Sequence, residues 1–227
     1  MKKRSKKLEI LDLDNIHSHY IFQNLKELEV INTYLGGFKI SIEGLNYFIN
    51  DNSKKYLVAD LGCGGGDFLK YASDYFYKKN FNIDFLGYDL KPECISYAKK
   101  ICTNNNNISL IQKDFDEIFY AKNKPDIVHV SLFLHHLEEN KIINFIQKCI
   151  DNKIKLVIND LERHPLAYHS ISIITSILSK SELVKNDAKL SVAKGFIDND
   201  WKEIFKNFNT KITILKRFPF RYLILIE

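Results

Sequence analysis

Residues 59–71 read ADLGCGGGDFLKY: an acid, four glycines in five positions, then a second acid at the start of an apolar-periodic run. Glycines at a strand-to-helix junction let a ligand reach the backbone, because no side chain intervenes. Gly62, Gly64 and Gly66 therefore mark a crevice outside the carboxyl ends of a parallel sheet. Asp89 stands in the later segment LGYDL, at the end of the second strand, where a carboxylate can accept both hydroxyls of a ribose. A dinucleotide fingerprint requires G-x-G-x-x-G, but Asp67 stands at the third glycine position. Beside a pyrophosphate, Asp67 and Asp60 would set anion against anion. The loop instead suits a ligand with positive charge. S-adenosylmethionine, with a sulfonium, an α-ammonium and no phosphate, matches it better than NAD.

A second group of reactive side chains follows the fourth and fifth strands. His135 and His136 end SLFLHHL, and NDLERHPLAYHS gathers Asp160, Glu162, Arg163, His164, Tyr168 and His169. Both segments fall on the same carboxyl edge. Histidine is the side chain best suited to take a proton near neutrality, and arginine is suited to hold an acidic group. These two loops hold the chain's best cluster of near-neutral bases, so we assign the base to His136 or His164. Arg163 and Tyr168 would orient the acceptor. The competing reading of these loops is a polar, solvated rim. His129, inside the fourth strand, reads as structural, and Cys63 and Cys149 as packing.

The elements that must position these groups alternate. KKYLVADLG, IDFLGYDL, ISLIQKDF, PDIVHVSLFLHHL and KIKLVINDL are compact apolar runs of the kind that form buried parallel strands. Helical patterns separate them, and Pro92 suits the first turn of one. KITILKRFPFRYLILIE reads as a closing hairpin, which brings the last strand in antiparallel. The whole is an α/β layer fold. Ahead of it, IFQNLKELEVINTYL has helical spacing and is stopped by Gly36 and Gly37; KISIEGLNYFI gives another short helix. An apolar segment at about 165–195 is a helical insertion after the fifth strand. The expected division is a helical cap over 1–50 and a cofactor-binding domain over 51–227, with 165–195 as a lid over an acceptor pocket.

Bulk properties narrow the class. The chain has 227 residues, enough for one sizeable domain, and a net charge of +5. The opening MKKRSKK holds five basic residues, so the rest is close to neutral. The opening reads as a frayed, solubilising terminus or as an arm for nucleic acid or an anionic membrane. Later lysines are interleaved with acids, which argues against a nucleic-acid face. The four cysteines form no CxxC pair, so neither a metal site nor a redox pair is expected. No apolar run is long enough for a membrane span, and a reduced cytoplasm is the expected compartment. Nothing in the sequence fixes an oligomeric state.

VADLGCGGGDFL, LGYDLKPECISYAKK, LIQKDFDEI and PDIVHVSLFLHHLEE, in this order and spacing, resemble the class I S-adenosylmethionine-dependent methyltransferases over about 55–160. The resemblance implies a Rossmann-like fold with a seven-stranded, mainly parallel sheet. It implies that Asp60, Gly62 and Gly64 line the methionine part of S-adenosylmethionine, that Asp89 holds the ribose, and that Leu90 lies beside the adenine. Asp114 and Phe115 would meet the adenine amino group and ring face, and Ser131 and Leu132 would floor the pocket. Asp114 also has a plainer reading, as a helix cap. LKELEVINTYLGG, NDLERHPLAYHSI and LVKNDAKLSVAKGF are further similar to a bacterial UbiE/type 11-like subgroup, which implies O-methylation of a phenolic, quinone-related or polyketide small molecule. The alternatives are an RNA or protein methyltransferase, or a non-catalytic cofactor-binding partner subunit. SLFLHHL holds no Asn/Asp-Pro-Pro-aromatic turn, the device that binds planar amino groups.

Overall fold

The computed structural model describes residues 3–13 and 16–227. Met1 and Lys2 of the basic opening lie outside the described residues. Two helices come first, α1 (Ser18–Tyr34) and α2 (Gly37–Phe48). Gly36 between them is left-handed, with φ +73°, and ends α1; Gly37 already opens α2. The alternating core follows: β1 (Lys55–Leu61), α3 (Asp67–Lys78), β2 (Asn82–Asp89), α4 (Pro92–Ile101), β3 (Ile108–Gln112), β4 (Ile127–Ser131), α5 (Glu139–Asp151) and β5 (Lys155–Leu161). The insertion after β5 is a pair of helices, α6 (Pro165–Leu178) and α7 (Glu182–Lys194). The chain closes with α8 (Asp198–Phe205), β6 (Ile212–Arg217) and β7 (Arg221–Ile226).

The seven strands lie in the order β3-β2-β1-β4-β5-β7-β6. β1 to β5 pair in parallel, and β7 runs antiparallel to both β5 and β6. The order reverses between β1 and β4. A crevice opens at such a switch point because the flanking connections leave in opposite directions. The expected α/β architecture with an antiparallel last strand is the observed one.

Residue alternation splits the core into two layers. Val58, Ile127, Val157 and Leu223 face α2 and α3, through Leu45, Phe48, Leu69 and Phe76. Ala59, Val128, Leu156 and Ile158 face α5 and α8, through Phe145, Ile146 and Trp201. The second helix ahead of β1 is thus a structural layer of the sheet rather than a cover beyond it. Its contact is close. A Cβ on Gly44 would overlap Val157 Cγ1 and lie 2.9 Å from Leu223 Cδ1.

That contact generates a prediction. Replacing a mid-helix glycine by alanine favours the helix by about 1 kcal/mol. Overpacking a rigid core costs about 1–3 kcal/mol. Gly44→Ala is expected to come out destabilised by up to about 2 kcal/mol in urea unfolding, and a stabilised variant would show that the sheet gives way under α2.

Candidate active site

The loop between β1 and α3 is held by its own side of the sheet. Gly62 has φ +66°, and a Cβ there would lie 2.5 Å from Phe133 Cδ2, so its bareness is filled by the Phe133 ring. Gly64 has φ +52° and only Leu25 Cδ2, at 3.6 Å, near the position of a Cβ. Gly64 is therefore the glycine whose bare backbone is left for a ligand. Its amide donates to Asp89 Oδ2 at 2.9 Å, and the Lys91 amide donates to Asp89 Oδ1 at 2.9 Å. These bonds clamp the end of β2 to the loop and fix the carboxylate before any ligand arrives. Burial raises the Asp89 carboxyl above its ordinary value, against those two donors.

Asp60, at the end of β1, is 4 % exposed. Its Oδ1 lies 2.7 Å from His129 Nδ1, and His129 Nε2 lies 2.8 Å from Ser41 Oγ on α2. Asn159 on β5 donates to Ser41 Oγ at 2.8 Å and to the Gly37 carbonyl at 2.9 Å. Arg221, the first residue of β7, donates to Asn159 Oδ1 at 3.2 Å and to Asn32 Oδ1 at 2.8 Å. A buried row of polar groups thus crosses β1, β4, β5 and β7 under α2. His129, read as structural, is one of its links.

A cavity of about 780 Å³ lies over this edge. Of the residues assigned from the sequence, Asp60, Gly62, Gly64, Asp89, Leu90, Phe115, Ser131, Leu132 and His136 line it. Leu132 has a left-handed φ of +52° and is pinned by its amide to the Asn159 carbonyl at 3.0 Å. Asp114 is exposed and caps the 3-10 turn Phe115–Tyr120 by accepting from the Asp116 amide; the cavity wall there is Lys113 and Phe115.

Three of the four residues assigned to catalysis stand elsewhere. Arg163 is buried and donates to the Gly195 carbonyl at 2.6 Å and to Asp200 at 2.9 Å, which ties the end of β5 to the start of α8. His164 is the N-cap of α6: its Nδ1 accepts from the Leu166 amide, and its ring stacks on Phe220. Tyr168 packs in the cluster of Ala167, Ile171 and Val192. None of the three lines the cavity. The sequence put them at the correct edge, but Pro165 starts α6 at once, and the side chains around that start serve helix capping and anchoring.

Residues that sequence reading passed over fill the other side. Residues 4–12 lie across the cavity as a strap. Arg4 donates to the carbonyls of Lys194, His135 and Leu137 at 2.9–3.1 Å and packs on Phe196. Asp187 on α7 accepts from the Ile10 and Leu11 amides at 2.9 Å each. Part of the basic opening is thus an anchor, while Lys3, Lys6 and Lys7 are exposed. The strap buries Glu9 beside Lys194 Nζ at 3.3 Å and His135 Nε2 at 3.7 Å. Burial raises the Glu9 carboxyl despite the His136 and Lys194 charges. Asp12 also meets burial, but the hydrogen bond and charge of His136 outweigh it, with Lys194, and hold Asp12 below its usual range. His135 is a buried dyad with Asp160, Nδ1 to Oδ1 at 2.7 Å. Glu9, His135 and His136 bring possible metal-ligand atoms within 4.8 Å of one another, with the Lys194 ammonium beside them, 3.3 Å from Glu9 and 3.2 Å from Asp12. Nothing at the sequence level joins residue 9 to residues 135 and 194.

The donor set fits S-adenosylmethionine: a bare Gly64 edge, a preset carboxylate at Asp89 for ribose hydroxyls, and the anionic Asp60 for a cationic amino-acid end. A family model described as "Methyltransferase domain" matches residues 52–210. The chain belongs to the methyltransferase-domain family. Solved structures agree in fold at low identity. The plantazolicin methyltransferase BpumL, in complex with SAH, is 16 % identical with a TM-score of 0.65, over 92 % of this chain and 93 % of that one. A SAM-dependent methyltransferase from Aquifex aeolicus is 14 % identical with a TM-score of 0.58, over 93 % and 98 %. WbdD, solved with a kinase inhibitor, is 14 % identical with a TM-score of 0.56, over 86 % of this chain and 40 % of its own. No curated protein matches the sequence.

Asp67 gives this methyltransferase a pH signature. It lines the cavity, and burial, aided by the Glu29 and Asp60 charges, pushes its carboxyl up from the ordinary 3.8 to about 7. The fold therefore keeps a proton that the unfolded chain releases, and Asp67 costs stability increasingly as pH rises from about 4 to about 7. A cationic ligand favours the ionised form. S-adenosylmethionine affinity is expected to climb between pH 6 and 8, by at most about tenfold per pH unit, and Asp67→Asn to flatten that slope and gain stability at neutral pH. Calorimetry across pH checks the first and thermal melts the second; a wild-type affinity independent of pH would remove Asp67 from the site.

Proposed function

We propose that this chain uses S-adenosylmethionine to methylate an oxygen of an apolar small molecule, phenolic, quinone-related or polyketide in type. One observation carries the reading: the cavity that begins at Asp60, Gly64 and Asp89 continues without a break between α1, α6 and α7. There its walls are Ile31, Leu35, Ile171, Ile174, Val184 and Phe220. Its size falls among small-molecule sites, roughly 300–1,000 Å³. The helix pair after β5 and the helix before α2 act on this reading as a lid that excludes water from the acceptor.

The cofactor supplies a methyl group already activated on a sulfonium. The protein's task is then placement and removal of one proton. Asp60, Asp67 and Asp89 favour the cationic, ribose-bearing ligand. The apolar helices orient the acceptor. His136 lines the cavity with its Nδ1 3.1 Å from Asp12 Oδ1. With Nδ1–H given to Asp12, Nε2 is left to accept the acceptor's proton. The macromolecular alternatives find little support in these walls, where Lys91 and Lys113 at the cofactor end are the cations nearest an open rim.

Phenols and quinols screened with S-adenosylmethionine, read by release of S-adenosylhomocysteine, test the reading directly. On the best acceptor, His136→Ala is expected to cut turnover by about 10²–10⁴-fold with cofactor affinity nearly unchanged. His164→Ala is expected to keep turnover and lose only a cap, about 1 kcal/mol in denaturant unfolding. Equal turnover in His136→Ala and wild type would leave catalysis to placement alone.

A further inference from the structure

The acceptor half of the cavity holds a charge that the apolar reading does not use. Arg221 lines it and is 3 % exposed. A guanidinium keeps its proton in any protein, so burial must be compensated by partners. The partners given to Arg221 are two neutral amide oxygens, those of Asn159 and Asn32. No carboxylate lies within 4 Å of it among the described residues, whereas Arg163 has Asp200 and Arg217 has Glu43. Burial alone pushes the Arg221 guanidinium down to about 10, with Asp160 the one charge opposing it, from the other face of the sheet.

The seat around it is built. Asn159 cannot turn its oxygen elsewhere, because its amide hydrogens go to Gly37 O and Ser41 Oγ. Gly37 packs closely under it: a Cβ there would come 3.1 Å from Arg221 Nη2. Asn32, a second polar wall of the cavity, accepts from the same nitrogen. Phe218, Pro219 and Phe220 line the cavity beside it. The result is a fixed planar fork at the edge of an apolar chamber, the arrangement that recognises a carboxylate by two parallel hydrogen bonds.

Resting on the methyltransferase reading above, we propose that the acceptor is an acid: an apolar, ring-sized hydroxy-carboxylate whose carboxylate is anchored by Arg221, with Asn32 beside it. Strand spacing sets its reach. Arg221 lies on β7, two strands from Ser131 on β4, or about 10 Å along the sheet, and three from Asp60, or about 14 Å. A molecule of one or two fused rings spans from the anchored carboxylate to a hydroxyl at the cofactor end. A phosphate is a poorer fit, because among the described residues no second cation shares the Arg221 seat. The negative Asp60 and the positive Arg221 then sort the two ligands: the cationic one to β1, the anionic one to β7.

The test uses the full chain saturated with S-adenosylhomocysteine and two matched pairs of probes: 4-hydroxybenzoate with 4-hydroxybenzamide, and 6-hydroxy-2-naphthoate with its amide. By calorimetry, at least one acid is expected to bind ten or more times tighter than its amide. Arg221→Gln is expected to abolish that preference, and Arg221→Lys to keep part of it. Asn32→Ala should weaken the acid by several fold, and every comparison is made with S-adenosylhomocysteine at saturation for that variant. If Arg221→Gln does not fold, the lysine and Asn32 variants decide. Acids that bind no tighter than amides, or not at all to a loaded protein, overturn the proposal, as does an Arg221→Gln protein that keeps the preference. Failure of wild-type protein to bind S-adenosylhomocysteine is a different result: it overturns the underlying reading, and this one with it.

Discussion

The buried row Asp60–His129–Ser41–Asn159–Arg221 is the constraint on which the rest of this protein hangs. Its polarity is set from one end. Arg221 can only donate, so it claims Asn159 Oδ1 and leaves the amide hydrogens for Ser41 and Gly37. Ser41, having accepted from Asn159, gives its own hydrogen to His129 Nε2. His129 then carries its proton on Nδ1 and presents it to Asp60. Buried polar chains of this kind are costly when one link is missing and rigid when complete. Here the chain fixes the carboxylate at the cofactor end of the cavity and joins four strands to α2 without a buried polar atom going spare along it.

This explains why α2 is indispensable although it precedes the alternating fold. Gly37 and Ser41 supply two links of the row, and Gly44 lets the helix lie on Val157 and Leu223. One helix thereby completes both the core of one sheet face and the polar floor of the cavity. The strap at residues 4–12 plays a corresponding part on the other side. It has little regular structure of its own, and its position is set by Arg4 and Asp187, which tie it to α7 and to the turn after β4. Strap, turn and α7 therefore behave as one wall, and Glu9, His135, His136 and Lys194 meet only because that wall is assembled.

The cavity carries charge of both signs: Lys91 and Lys113 stand at its cofactor end, and Glu9, Asp12 and Asp187 line the side of the strap and α7. Asp60, Asp67 and Asp89 gather at the glycine loop, and Arg221 stands at the far end. In a low-dielectric crevice such an arrangement orients ligands before contact. On the reading proposed above it also separates two jobs by strand: cofactor at the switch point between β1 and β4, acceptor over β5 and β7.

Much of this was legible in the sequence. Strand and helix periods fixed the α/β order and the closing antiparallel strand, because each element buries one face and must show it. The glycines and Asp89 pointed to the cofactor crevice, since their spacing is local: Gly64 and Asp89 meet wherever β1 and β2 pair. The acceptor side was not legible. Arg163, His164 and Tyr168 stood at the right edge, yet capping, anchoring and packing at the start of α6 claimed their side chains. His135 was visible as one of two histidines after the fourth strand, but Glu9, Lys194 and Arg221 gave no signal, because none lies near another in the chain and each type is common on surfaces. By itself the sequence determined the layers and the cofactor end, which rest on short-range periodicity and one strand pairing. Only the tertiary structure decided the far end of the cavity, where residues from both termini and three helices converge, and where burial sets an ordinary arginine against two neutral amide oxygens.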